Sequence, residues 1–258
     1  MGERGRAFAC GSLEYASARM HARLARMPDE PDWSRLEHAR DLEGVLEAAR
    51  GSSLAAITAA LDARSDAHRI DATVREAWDR LLVECARWWP GEWSSALAWC
   101  GAIPRLDAVS ALARGERPAP WMARDAWLPA LGPDSAPSRD HPLAPLAAAW
   151  TGDGRASTAA LWAREWRARL PADARADEGV ARWHDVVARH VRDFARAPLH
   201  EAPRLRARLR ARALATFRRQ GTEAAGALAW LTLVALDFER ARGELVRRSA
   251  FDRGRLAP

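Results

Sequence analysis

Lysine and asparagine are absent from this chain, and Gln220 is its only glutamine. All 40 basic residues are therefore Arg. Residues that build sheets are also scarce: there is one Tyr, there are five Phe, and Ile occurs only at 57, 70 and 103. That shortage excludes a fold built on strands. The three cysteines, Cys10, Cys85 and Cys100, are odd in number and far apart. Such spacing argues against a disulfide framework or a zinc knuckle and makes a reducing cytosol the expected compartment. Residues 1–10 hold Glu3, Arg4 and Arg6 and no apolar stretch, so no secretory signal is expected. The longest nearly apolar run, 224–236, is too short to cross a bilayer and reads as a core helix.

Catalytic signatures are missing too. Thr151-Gly-Asp-Gly154 has no following Lys and no preceding strand, so it reads as a turn rather than a phosphate loop. No Gly-x-Ser-x-Gly elbow occurs. Of the seven His, His190 and Asp193 share a helical face, but two ligands do not make a metal site. No catalytic, cofactor-binding or metal-binding residue is assigned, and no small-molecule substrate is expected.

What remains is the composition of a helical protein. Ala, Leu, Arg and Glu dominate the 258 residues, with 48% hydrophobic and 29% charged. The expected class is all-α, a multi-helix bundle. The net charge is +6, a modest field that permits an acidic partner or an anionic membrane surface without demanding nucleic acid.

Apolar spacing and caps predict helices over 13–27, 33–40, 42–50, 54–64, 66–89, 92–101 and 104–114. Asp41 is the expected N-cap of the third and Gly51 its stop. Seven prolines between 118 and 145 mark 115–150 as a Pro- and Trp-rich connection. Helices resume over 156–170, 177–195, 203–220 and 222–249, with a frayed tail from 251. The expected division is therefore 1–114, 115–150 and 151–258.

Two features invite a functional reading. Arg204, Arg206, Arg208, Arg210 and Arg212, with Arg218 and Arg219, form the densest basic run. On a helix carrying the stripe Leu205, Leu209, Ala213 and Phe217, they read first as a solvated flank, since alternate residues spread around the cylinder. The 13 Trp read first as core and second as interface anchors.

A more specific pattern lies near the start. In Tyr15-Ala-Ser-Ala-Arg-Met-His-Ala-Arg-Leu-Ala-Arg-Met27, the residues Tyr15, Ala18, Arg19, Met20, Ala22, Arg26 and Met27 fall on a recurring motif. This helix resembles the opening helix of the C/d-type adaptor, a stalk component of the archaeal/vacuolar-type (V-type) rotary ATPases. The Asp41–Leu46 helix, the long helix before Pro90-Gly91, and an apolar last helix turning charged at Asp237-Phe-Glu-Arg240 are similar to that family in order. Departures are Ser17, where the family has Asn, and Glu239-Arg240, where it has Arg-Asn.

The resemblance implies a non-catalytic coupling subunit, funnel-like and built from pseudo-repeated helical units. It would link the central stalk to the membrane proteolipid ring and support proton or sodium transport. The partners implied are the other stalk components and that ring, with membrane contact only through the complex. The expected location is cytoplasmic, peripheral at the inner membrane. Arg19, Arg23 and Arg26 recur at helical spacing and are the candidate partner contacts. The alternatives are a generic all-helical interaction module and, least favoured, an Arg-rich nucleic-acid binder.

Overall fold

Short polar side chains start six of the helices. In the computed structural model, which describes residues 11–129, 131–132, 135–151 and 157–254, thirteen α-helices are laid down in order. They are α1 (Leu13–Leu24), α2 (Glu30–His38), α3 (Leu42–Arg50), α4 (Ala55–Thr58), α5 (Ala67–Ala86), α6 (Ser94–Trp99), α7 (Leu106–Ala113), α8 (Ala148–Thr151), α9 (Thr158–Ala168), α10 (Ala172–Ala176), α11 (Glu178–Arg196), α12 (Ala202–Gln220) and α13 (Ala224–Gly254). Ser12, Asp41, Asp66, Ser157 and Asp177 each accept a hydrogen bond from the backbone N–H three residues on. Asp29 and Asp32 form a reciprocal capping box at α2. Among the described residues there is no strand, only an isolated bridge between Gly132 and Ser135. The fold is all-α. Cys10, Gly152–Gly154 and the last four residues of the tail lie outside the described residues, while α13 continues to Gly254.

The chain divides into two compact units. The first joins Met1–Gly91 to Ala172–Pro258; the second is Glu92–Pro171. The expected boundaries at 114 and 151 are therefore displaced, and both ends of the chain belong to one unit.

In the first unit α13 is the central element. Its 31 residues extend about 46 Å at 1.5 Å per residue, and α1, α3, α5, α11 and α12 all pack on it. Its first half is buried all round at Ala225, Ala227, Leu228, Ala229, Trp230, Leu231 and Leu233, which is why it is apolar rather than striped. Its second half sends Ala241 and Leu245 into a cluster with Trp33, Leu36, Val45, Ala49, Ile57, Ile70 and Val74. Around that cluster Arg240 Nε donates to Glu37 at 3.0 Å and Arg242 Nε to Asp71 at 2.7 Å. Cys85 is buried on α5, and burial pushes its thiol up to about 12, so it is inert.

The α12–α13 turn is tight. A Cβ on Gly226 would lie 1.9 Å from the Gln220 carbonyl oxygen, a backbone atom that cannot step aside.

The second unit contains the whole of the Pro- and Trp-rich stretch 115–150, whose described residues are packed. Leu128, Leu131, Leu143 and Leu146 are buried in it. Trp99 Nε1 donates to the Trp162 carbonyl and Trp162 Nε1 to the Trp99 carbonyl, both at 3.1 Å, tying α6 to α9 reciprocally. Trp150 Nε1 donates to the Gly132 carbonyl at 3.1 Å. Arg105 and Asp125, both almost fully buried, are paired at 2.7 Å, and Asp125 also accepts from the Trp127 N–H. Pro104, expected to open a helix, instead sits inside the 3-10 turn Cys100–Arg105. The stretch Gly91–Ala113 is apolar and long enough to cross a bilayer by composition. It is half buried inside the protein and is broken by 3-10 turns, so it forms packed short helices.

Two substitutions test this packing by chemical denaturation. Gly226→Ala, which in an open helix would stabilise by up to about 1 kcal/mol, is expected here to destabilise by about 2 kcal/mol through backbone overlap. Asp125→Ala is expected to cost about 3–5 kcal/mol, because it strands a buried guanidinium.

Candidate functional site

An open cleft of about 880 Å³ begins at the C-terminal end of α1, the helix that carries the motif. The cleft is lined by residues of α1, the α1–α2 turn, α2, the α3–α4 turn, α4, α5 and α13. Leu54, Ile57, Leu81, Trp230, Val234 and Phe238 give it apolar walls. Arg23, Arg26 and Arg80 bring positive charge, and Asp29, Asp32, Glu84 and Asp237 bring negative charge. Ser52 and Ser53 lie where Gly51 ends α3.

Of the three arginines that recur at helical spacing as a stripe of candidate partner contacts, the structure places two, Arg23 and Arg26, in the cleft. Arg23 is ion-paired with Glu84, and its guanidinium lies 4.8 Å from the centre of the Trp88 ring. Arg19 lies 5.1 Å from the same ring and outside the cleft. Both stack on the indole that leans against Trp230, with ring centres 6.3 Å apart. Arg26 is exposed, and among the described residues it pairs with no carboxylate. The stripe is thus divided: two arginines are anchored on Trp88 and one is free.

Asp237 escaped the sequence reading as a site residue. It is 4% exposed, one carboxylate oxygen holds Arg210, and Oδ2 has no hydrogen-bond partner. Burial raises its pKa to about 6 against the opposing charges of Arg210 and Arg240. Trp230, two turns earlier on the same helix, has a buried Nε1 that is also without a partner. A buried polar group left unbonded costs about 1–3 kcal/mol. Both atoms lie on one stripe of α13 beneath the cleft wall, buried and without a hydrogen-bond partner. The sequence signal was available: Asp237 is the first acid after Glu223, and it interrupts the stripe Leu228, Leu231, Ala235 and Phe238.

Elsewhere, all 13 Trp are buried or half-buried, so they serve packing first. His190 packs on Phe194, and burial with the nearby Arg206 lowers its pKa. Among the described residues no three His, Cys, Asp or Glu side chains converge as metal ligands.

The titration of Asp237 has a definite sign. Its native pKa lies above the ordinary 3.8, so the folded state holds the proton more tightly than the unfolded chain. The stabilisation is full below about pH 4 and is lost as pH rises through about 6. A carboxyl resonance titrating near pH 6 is expected by carbon NMR, and Asp237→Asn should remove both it and that part of the stability slope.

No protein-family model matches this chain, no curated protein matches it, and no solved structure matches its fold.

Proposed function

We propose that this chain is a non-catalytic coupling subunit similar to the C/d-type adaptor of the archaeal/vacuolar-type rotary ATPases, joining the central stalk to the membrane proteolipid ring and supporting proton or sodium transport. One observation carries the reading. Of the seven motif residues on and just after α1, only Met20 is buried in the core. Ala18, Arg19, Ala22 and Arg26 are exposed, and Tyr15 and Met27 are half-buried. Core packing therefore does not account for the motif. A helix face of small residues flanked by guanidiniums suits the close approach of another protein backbone with acidic groups beside it.

The two segments that carry the resemblance also belong to one unit, where α1 packs on α13. In this reading α13 is a stiff strut, α1 presents the contact face, and the neighbouring cleft accepts a polar segment of the partner. Chemistry on ATP belongs to other components of the complex, and the protein reaches the inner membrane as part of it. The funnel-like arrangement of repeated units belongs to the same proposal.

Affinity purification from native membranes tests it. Stalk and proteolipid components are expected to co-purify, and the reading fails if none does. Ala18→Trp with Ala22→Trp is expected to abolish the association while leaving the thermal unfolding temperature within about 3 °C of the parent, since both sites are exposed.

A further inference from the structure

The segment from Glu178 to Arg219 holds 11 Arg and 4 Asp or Glu, a surplus of +7. The whole chain carries +6, so all the remaining residues together carry −1. The positive charge of this protein is the charge of one helical hairpin, α11 and α12.

On α12 the alternating arginines separate into two rows. Arg206 and Arg210 turn toward neighbouring helices: Arg206 lies 4.9 Å from the Phe194 ring centre, and Arg210 holds Asp237. Arg204, Arg208 and Arg212, spaced four apart, form an exposed row on the other side. Among the described residues these three pair with no carboxylate. Arg192 and Arg196, exposed in the last turns of α11, add to the field.

The same corner exposes apolar side chains. The apolar stripe of α11 is covered at Val180 and Trp183 and loses its cover toward the C-terminal end, where Val191 is 42% exposed. Leu199, in the connection to α12, is 92% exposed, more than any other large hydrophobic residue described.

We propose that the α11–α12 corner docks directly on an anionic lipid surface. The guanidiniums bind headgroup phosphates, singly or in two-pronged fashion. Leu199 and Val191 enter the boundary between headgroups and acyl chains, where apolar side chains gain and basic residues are drawn to the surface potential. Nucleic acid offers the same phosphates but no apolar medium for Leu199. Base stacking also lacks a platform, since the Trp rings are buried or half-buried and Arg206 lies over Phe194. The proposal does not rest on the rotary-ATPase reading, since it follows from the charge and exposure of this hairpin alone.

Vesicle co-sedimentation of the full chain tests it, comparing phosphatidylcholine with the same lipid doped with phosphatidylglycerol. Binding is expected to the doped vesicles only and to weaken as salt rises. Leu199→Asp should reduce affinity about tenfold, and Arg204→Glu with Arg208→Glu and Arg212→Glu should abolish it. All four residues are exposed, so thermal unfolding should be unchanged. Equal binding to both vesicle types, no binding, or an unaffected Leu199→Asp variant would overturn the proposal. So would a labelled duplex bound more tightly than the doped vesicles at equal salt.

Discussion

Burial of α13 is the constraint from which the first unit follows. A 31-residue helix that is apolar all round in its first half must be covered on every side, and no single neighbour can do that. The helices that cover it come from both ends of the chain: α1, α3 and α5 from the start, α11 and α12 from just before it. The N-terminal elements cannot complete their core without the last helix, because Ala241 and Leu245 fill the cluster formed by Trp33, Ile70 and their neighbours. The cleft beside α1 forms where α13 changes from apolar to charged and its covering helices part.

The chain's two compositional oddities meet in the structure. With no Lys, every cation is a planar guanidinium, which stacks on aromatic faces as well as pairing with carboxylates. Arg19 and Arg23 lie over Trp88, Arg105 over Trp127, Arg169 over Trp99 and Arg240 over Trp33. The indoles fill the interior, and the guanidiniums lie against their faces while reaching Glu84, Asp125, Glu165 and Glu37. A run of arginines is therefore a poor guide to function until its inward and outward members are separated, as they are on α12.

Where the sequence reading missed, local hydrogen bonds or distant partners had the decisive say. The helix expected over 54–64 shrinks to Ala55–Thr58, and close behind it Asp62 and Ser65 close a turn on each other, with the Asp62 N–H donating to Ser65 Oγ at 3.0 Å. Prolines between 118 and 145 correctly signalled irregular backbone. They could not signal that Leu128, Leu143 and Leu146 would be buried, because that depends on distant elements such as α9, which packs on the Ala144–Leu146 turn. Asp237 looked like one charge at the end of an apolar run. Its isolation and its link to Arg210 depend on α12 folding back along α13.

The opening helix was legible from its residues alone, as were the helical class, the cap at Asp41, and the core face of α12. These depend on spacing within a turn or two, which sequence encodes directly. Which motif residues would be core and which exposed was not legible, since a helix carries no mark of which flank its neighbours will take. Tertiary structure alone decided that Met20 is buried while Ala18 and Ala22 are open, and that Arg23 joins Glu84 while Arg26 stays free. It also decided that the two ends of the chain make one unit, because that requires contacts between residues far apart in sequence.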